Sequence, residues 1–81
     1  SLILVDEPSL GLAPYLVQNV FEALTTLHNE GLTILLVEQN VNATLEITDR
    51  AYVIEQGKIA MQGESKKLLE DNHIQNVYLG I

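Results

Sequence analysis

The segment that decides the fold is Leu2-Ile3-Leu4-Val5-Asp6-Glu7-Pro8, in which an apolar run is followed at once by two carboxylates and a proline. An uninterrupted apolar run of this kind is typical of a strand that is buried on both faces of a parallel sheet. Proline has no backbone N–H and cannot continue a central strand. We therefore predict a buried strand over residues 2–5.

A helix and a second strand are predicted next. Apolar side chains recur at helical spacing from Val17 to Leu27. Pro14 suits the first helical position, and Gly31 suits the position just beyond the helix end. The apolar run over residues 32–37 is typical of another buried strand. The three elements thus form one strand-helix-strand unit, whose crossover makes the two strands parallel.

The remaining residues predict a short helix, a hairpin and a C-terminal helix. Asn40 can cap the short helix. Residues 51–55 and 58–62 flank Gln56-Gly57, a pair that favours the tight turn of an antiparallel hairpin. The last residues favour a helix that breaks at Asn72 before a final apolar turn. The predicted fold class is α/β, with a parallel strand-helix-strand unit, an antiparallel hairpin and a C-terminal helix.

Composition excludes several classes of function. The 81 residues are 47% hydrophobic and 19% charged, which is a globular balance. Four basic residues against eleven acidic ones give a net charge of −7, and binding to a phosphate backbone needs clustered cations. We expect no nucleic-acid partner. The chain has no cysteine, so disulfides and thiol nucleophiles are excluded, and its apolar runs are too short to span a bilayer.

Polar side chains follow both predicted parallel strands, at the sheet edge where ligands bind in open α/β folds. Asp6-Glu7 follows the first strand and Glu38-Gln39 the second. An apolar strand followed by Asp-Glu is the Walker B pattern of nucleotide hydrolases, in which one carboxylate holds Mg²⁺ and its neighbour activates a water. The alternative is that these carboxylates end the strands simply because the chain re-enters water.

Longer stretches of the chain resemble one protein family. LILVDEPSLGLAP (residues 2–14), TILLVEQN (33–40), TDRAYVIEQGK (48–58) and VYLG (77–80) closely resemble the ATP-binding subunits of bacterial and archaeal branched-chain amino-acid ABC importers. The resemblance covers essentially all 81 residues. It implies that residues 1–81 are the C-terminal part of one nucleotide-binding domain of P-loop ATPase fold, from the Walker B motif onward.

The resemblance also implies roles for individual residues. Asp6 would help to hold Mg²⁺ through water, and Glu7 would be the general base for hydrolysis. Gln39 occupies the switch position, where most ABC ATPases have His, and its amide can donate a hydrogen bond but cannot become cationic. The D-loop, which faces the opposing subunit and the nucleotide, would comprise Ser9, Leu10, Gly11 and Leu12. Ala13 stands where the common D-loop carries Asp, so a contact that depends on that carboxylate is not expected.

The cofactors implied for the full-length parent are ATP and Mg²⁺. The implied partners are a second ATP-binding subunit and membrane permease subunits, which would hold the protein at the cytoplasmic face of the membrane. The chain lacks the Walker A, Q-loop and signature motifs, and its one Gly-Lys pair, Gly57-Lys58, lies in the predicted hairpin. We therefore expect the isolated chain to be inactive. Its apolar strands predict that it self-associates.

Two alternatives remain open from the sequence. A related subunit could serve a urea or short-chain amide importer, because the ATPase subunit does not itself touch the cargo. The chain could also be a non-catalytic α/β interaction module, in which Asp6 and Glu7 are only strand-end charges. A Walker A motif upstream of residue 1 would favour the ATPase over the module.

Overall fold

The computed structural model describes residues 2–80 and divides the chain into two compact units. The first unit runs up to Asn40, and the second begins at Val41. Within the described range, no helix is long and apolar enough to cross a membrane. Each unit is built from elements that are close in sequence.

The first unit confirms the predicted strand-helix-strand arrangement. Its elements are β1 (Leu2–Asp6), α1 (Pro14–Asn29) and β2 (Thr33–Val37). The strands are parallel, with Leu2 opposite Thr33 and Asp6 opposite Val37. Because this register ends both strands at one edge of the sheet, the segments that follow β1 and β2 are neighbours.

Helix α1 begins and ends where the sequence predicts. Pro14 lies in its first turn, where the missing N–H has no helical partner to lose. Phe21 and Leu24 are the buried residues of its apolar stripe. The helix ends at Asn29, and Gly31 follows with a φ of +99°, a conformation that glycine adopts at little cost. Local signals therefore fix both ends of α1.

The prediction that both strands are buried on both faces is wrong for this chain. Burial alternates along β1 and β2, so that one face of the sheet is half-buried and the other is exposed. Leu2 and Leu4 are each 65% exposed, and Leu35 is 55% exposed. The physical reason is that α1 packs against the sheet from one side, and one helix can cover only one face.

The second unit begins with a helix and the predicted hairpin. Its first elements are α2 (Val41–Ile47), β3 (Arg50–Glu55) and β4 (Lys58–Glu64). The strands pair antiparallel, with an irregularity between Val53 and Ile54. Gln56 and Gly57 both have positive φ, which is the requirement of the tight turn predicted from this pair.

The C-terminal segment is helical in three short pieces. They are α3 (Ser65–Leu69), α4 (Asn72–Ile74) and a π-helical turn over Gln75–Leu79. The predicted break at Asn72 is wrong, because the break lies at Glu70 and Asp71. The Asp71 carboxylate accepts hydrogen bonds from the N–H groups of His73 and Ile74 and so starts a new helix at Asn72.

The second unit has a core of its own. Leu45, Val53, Leu68 and Ile74 form its buried cluster, and Ile74 is completely buried. Ser65 is also completely buried, with its hydroxyl 2.7 Å from that of Thr48. At the rim, the Glu55 carboxylate accepts a hydrogen bond from the Tyr78 hydroxyl and lies 2.9 Å from Nε2 of His73. These contacts tie the π-helical turn to the end of β3.

Candidate active site

The candidate site is built on the turn that follows β1. Glu7 has a φ of +46°, in the left-handed region that side-chain-bearing residues rarely adopt. Its N–H donates to the carbonyl of Val37 at 2.6 Å, and its carbonyl accepts from the N–H of Leu10 at 3.2 Å. The unusual backbone is thus fixed on both sides. Such strain persists where the surroundings determine it, and it is common at functional sites.

A cleft of about 300 Å³ opens at this edge of the sheet. It lies entirely within the first unit, between the turn after β1 and the residues after β2. Its lining consists of Glu7, Ser9, Leu10, Gly11, Glu38, Gln39 and Asn40. The cleft therefore brings together five of the seven residues predicted as functional from the sequence: Glu7, Ser9, Leu10, Gly11 and Gln39.

The other two predicted residues lie outside the lining. Asp6 is the last residue of β1 and is exposed, on the same strand face as Leu2 and Leu4. Its carboxylate and that of Glu7 therefore leave the strand in different directions, because side chains alternate along a strand. Leu12 is 38% exposed, and its N–H donates to the carbonyl of Ser9 at 3.1 Å. Leu12 thus helps to close the turn that carries Gly11.

The sequence by itself indicates no role for Glu38, yet its carboxylate accepts three backbone hydrogen bonds in the cleft. Its Oε2 accepts from the N–H of Ser9 at 3.1 Å, and its Oε1 accepts from the N–H of Gln39 at 2.9 Å. Burial alone would raise the pKa of Glu38, but hydrogen bonds from Ser9, Gln39 and Asn40 outweigh it and lower the pKa below 4.5. The sequence signal was its position directly after the second apolar run.

The lining suits the activation of a water more than the binding of phosphates. It offers two carboxylates and the Gln39 amide, and it includes no lysine or arginine. Among residues 2–80, no group of three His, Cys, Asp or Glu residues could hold a metal ion. The Asp6 carboxylate is a suitable oxygen ligand for Mg²⁺, which normally takes one or two carboxylates together with substrate phosphates. The residues present therefore fit part of a Mg-ATP site and lack its phosphate-binding part.

No protein-family model matches the chain. Curated relatives do match it over almost its whole length. The chain is 49% identical over 79 residues to the high-affinity branched-chain amino acid transport ATP-binding protein BraG of Pseudomonas aeruginosa. The aligned residues are 98% of this chain and 34% of BraG. It is 38% identical to the lipopolysaccharide export system ATP-binding protein LptB of Haemophilus influenzae, over 96% of this chain and 32% of LptB.

A third relative is the probable branched-chain amino acid transport ATP-binding protein LivF of Archaeoglobus fulgidus. It is 38% identical over 82 aligned residues, which is all of this chain and 35% of LivF. The chain therefore spans about a third of the length of the curated relatives it matches. These relatives are ATP-binding proteins of transport systems with different cargoes.

Solved structures of ABC transporter proteins also match this chain over about a third of their length. The ADP conformation of MJ1267, an ATP-binding cassette of an ABC transporter, matches 99% of this chain with a TM-score of 0.73 and 32% identity. The chain has the fold of one part of an ABC ATPase domain. The match covers 33% of the MJ1267 chain. The structure of cbiO1 from Clostridium perfringens, part of the ABC transporter complex cbiONQ, matches 96% of this chain with a TM-score of 0.76 and 26% identity.

Proposed function

We propose that this chain is the C-terminal part of the ATP-hydrolysing subunit of an ABC importer for branched-chain amino acids. The observation that carries the proposal is the cleft, which is lined by both Glu7 and Gln39 at the ends of two parallel strands. The similarity to BraG and LivF supports branched-chain amino acids as cargo. The similarity to LptB makes lipopolysaccharide the competing cargo.

Glu7 is the proposed general base. Glu7 lines the cleft, and its backbone is fixed by hydrogen bonds to Val37 and Leu10. A carboxylate held in this way can take a proton from a water that attacks a phosphoryl group. Gln39 is the proposed donor that orients this water or a phosphate oxygen. Both residues act on the attacking side of the reaction.

Asp6 is the proposed Mg²⁺ residue, acting through a coordinated water. When bound to ATP, Mg²⁺ neutralises charge that develops on the phosphates. The phosphates themselves need a glycine-rich loop and a lysine, which we place upstream of residue 1 in the full-length subunit. Asp6 is exposed at the strand end, so its carboxylate is accessible to a ligand.

The proposed partners follow from the same assignment. Ser9 to Leu12 form the loop that faces a second ATP-binding subunit, and Leu10 is 71% exposed there. Membrane permease subunits bind the full-length protein and place it at the cytoplasmic face of the membrane. ATP hydrolysis is coupled to transport through them.

The test of this proposal is Glu7→Gln in the full-length subunit. The amide keeps the size of the side chain but loses the basic oxygen, so we expect ATP binding to persist while hydrolysis falls by about 100-fold or more. Glu30→Gln is the matched control, because Glu30 is an exposed glutamate at the end of α1. Hydrolysis by the Glu7→Gln protein at close to the wild-type rate would exclude Glu7 as the base.

Gln39 has its own test in the same protein. Gln39→Ala removes the donor and is expected to slow hydrolysis, whereas Gln39→His restores a donor and is expected to slow it less. Steady-state hydrolysis at saturating ATP separates the two variants. Equal, negligible effects of both changes would place Gln39 outside the reaction.

Cargo is tested separately from hydrolysis. The full-length subunit is reconstituted with its permease partners in proteoliposomes, and ATP-dependent uptake of leucine is measured. The proposal predicts leucine uptake that is lost with Glu7→Gln. ATP hydrolysis without transport of any branched-chain amino acid would overturn the cargo and leave the ATPase assignment intact.

A further inference from the structure

The Glu38 carboxylate joins two segments that lie far apart in sequence. Its Oε2 accepts the N–H of Ser9, 29 residues away, at 3.1 Å. Its Oε1 accepts the N–H groups of Gln39 at 2.9 Å and of Asn40 at 3.4 Å. One oxygen is thus directed to the turn after β1, and the other to the end of its own strand.

The acceptor in these bonds carries a charge. The hydrogen bonds that Glu38 accepts lower its pKa, so the side chain is ionised at neutral pH. At similar geometry, a hydrogen bond from a backbone N–H to an ionised carboxylate is about twice as strong as one between neutral groups. Glu38 is also half-buried, which reduces competition from water.

A second contact between the same segments lies beside the first. The N–H of Glu7 donates to the carbonyl of Val37 at 2.6 Å, one residue before Glu38. The turn after β1 is therefore held to the end of β2 at two successive points. Glu7 is fixed at the first point, and Gln39 lies directly after the second.

We propose that Glu38 is a positioning residue that fixes the separation of Glu7 and Gln39 by bonding Ser9 and Gln39 at the same time. The inference rests on the proposed function and goes beyond it, because it adds a residue that acts through others. Glu38 itself takes no proton in the reaction and holds no nucleotide. Its role is to keep the base and the donor at a constant distance across the cleft.

The alternative is that Glu38 is an ordinary strand-end charge. In that case its hydrogen bonds contribute to stability, and its loss lowers stability without any specific effect on hydrolysis. The two roles differ in what they predict for Gln39. A positioning residue that acts through Gln39 loses most of its effect once Gln39 is gone, whereas an independent residue does not.

The experiment is a double-mutant cycle in the full-length subunit. Wild type, Glu38→Ala, Gln39→Ala and the double variant are compared for ATP hydrolysis and for ATP binding. We expect Glu38→Ala to lower kcat by about tenfold to 100-fold, because small displacements of reacting groups have effects of this size. The affinity for ATP should be unchanged. In the Gln39→Ala background, Glu38→Ala should have a clearly smaller effect on kcat.

Two further variants keep the result interpretable. Glu38→Gln retains one carbonyl oxygen, so it can accept from one segment but not from both, and we expect a kcat between those of wild type and Glu38→Ala. Glu30→Ala is the control for loss of an exposed glutamate from the same unit and should behave like wild type. Hydrogen exchange of the Ser9 amide should be faster in Glu38→Ala, which reports loss of the bond without relying on activity.

The outcomes separate this inference from the proposed function. If Glu38→Ala hydrolyses ATP at the wild-type rate, or if its effect is undiminished in the Gln39→Ala background, the positioning role is wrong. Those results leave the ATPase assignment standing, provided that Glu7→Gln is inactive. A wild-type subunit that does not hydrolyse ATP would instead overturn the proposed function.

Discussion

The two units of the chain bury their apolar residues to different degrees. In the second unit, Leu45, Val53, Leu68 and Ile74 form a closed cluster. In the first, Phe21 and Leu24 are the buried residues among those described, while one face of the two-stranded sheet is exposed. The unit that carries the candidate site is thus the one with the smaller core, and hydrogen bonds of the backbone and of the Glu38 carboxylate hold that site.

We therefore expect the two units to contribute differently to stability and to hydrolysis. Changes in the second unit should act mainly on the free energy of unfolding. Changes in the first should act on association and on hydrolysis.

The core of the second unit should be sensitive to truncation. Ile74→Ala removes a completely buried side chain and should lower the free energy of unfolding by about 2–5 kcal/mol. Ile54→Ala is the matched control, because Ile54 is 67% exposed. This change should lower the free energy of unfolding by about 1 kcal/mol or less. Urea denaturation measures both. Equal losses would contradict the core described for this unit.

The exposed sheet face of the first unit should drive self-association of the isolated chain. Leu4 and Leu35 are opposite each other on that face, and contiguous apolar surface favours association. The double variant Leu4→Ser, Leu35→Ser should shift the chain toward monomer in sedimentation velocity. Val77→Ser is the control, since Val77 is also apolar and 57% exposed but lies in the second unit. A wild-type chain that is monomeric at high concentration would exclude this behaviour.

Two glycines with the same φ should differ in function but not in stability. Gly11 and Gly57 both have a φ of +76°, with open space where a Cβ would lie. Replacement by alanine should lower stability by about 1 kcal/mol at each position, because only the backbone conformation is strained. In the full-length subunit, Gly11→Ala should also slow hydrolysis, whereas Gly57→Ala should not. Identical rates of ATP hydrolysis for Gly11→Ala and Gly57→Ala would contradict a role in hydrolysis for the turn after β1.

The smallest effect concerns pH. Hydrogen bonds from Tyr78 and then His73 lower the pKa of Glu55 below 4.5. A group whose pKa is lower in the folded state stabilises the fold above its unfolded pKa and loses this contribution as pH falls through the folded value. Glu55→Gln should therefore be less stable than wild type at neutral pH, with the difference shrinking below pH 4.5. A difference that is the same at every pH would exclude the charge of Glu55 as its source.

Local chemistry predicted most of the secondary structure. Pro14 and Gly31 bounded α1, and Gln56-Gly57 fixed the hairpin, because each residue sets its own backbone angle or removes its own hydrogen bond. The helix break lies at Glu70 and Asp71, before the predicted Asn72. The carboxylate of Asp71 determines where the next helix starts, and that bond competes with continuation of the preceding one.

The sequence predicted most residues of the candidate site but not the hydrogen bonds between them. Parallel strands bring Glu7 and Gln39 to one edge whatever the details of the turn, so their meeting followed from topology. The bonds from Glu38 to Ser9 and Gln39 depend on how the turn after β1 folds back, which no residue pattern encodes by itself. Exposure of one sheet face was missed because apolar composition indicates a preference for burial, not the presence of a covering element.

We infer that Glu7 and Gln39 act on the attacking water, and that the groups that hold the phosphates are not among these 81 residues. Isothermal titration of the 81-residue chain with Mg-ATP tests it most directly. Asp6 offers the nucleotide one metal contact, and the net charge of −7 repels it, so we predict no measurable binding at physiological Mg²⁺. A dissociation constant in the micromolar range would contradict the claim, because it would require a phosphate site within the chain.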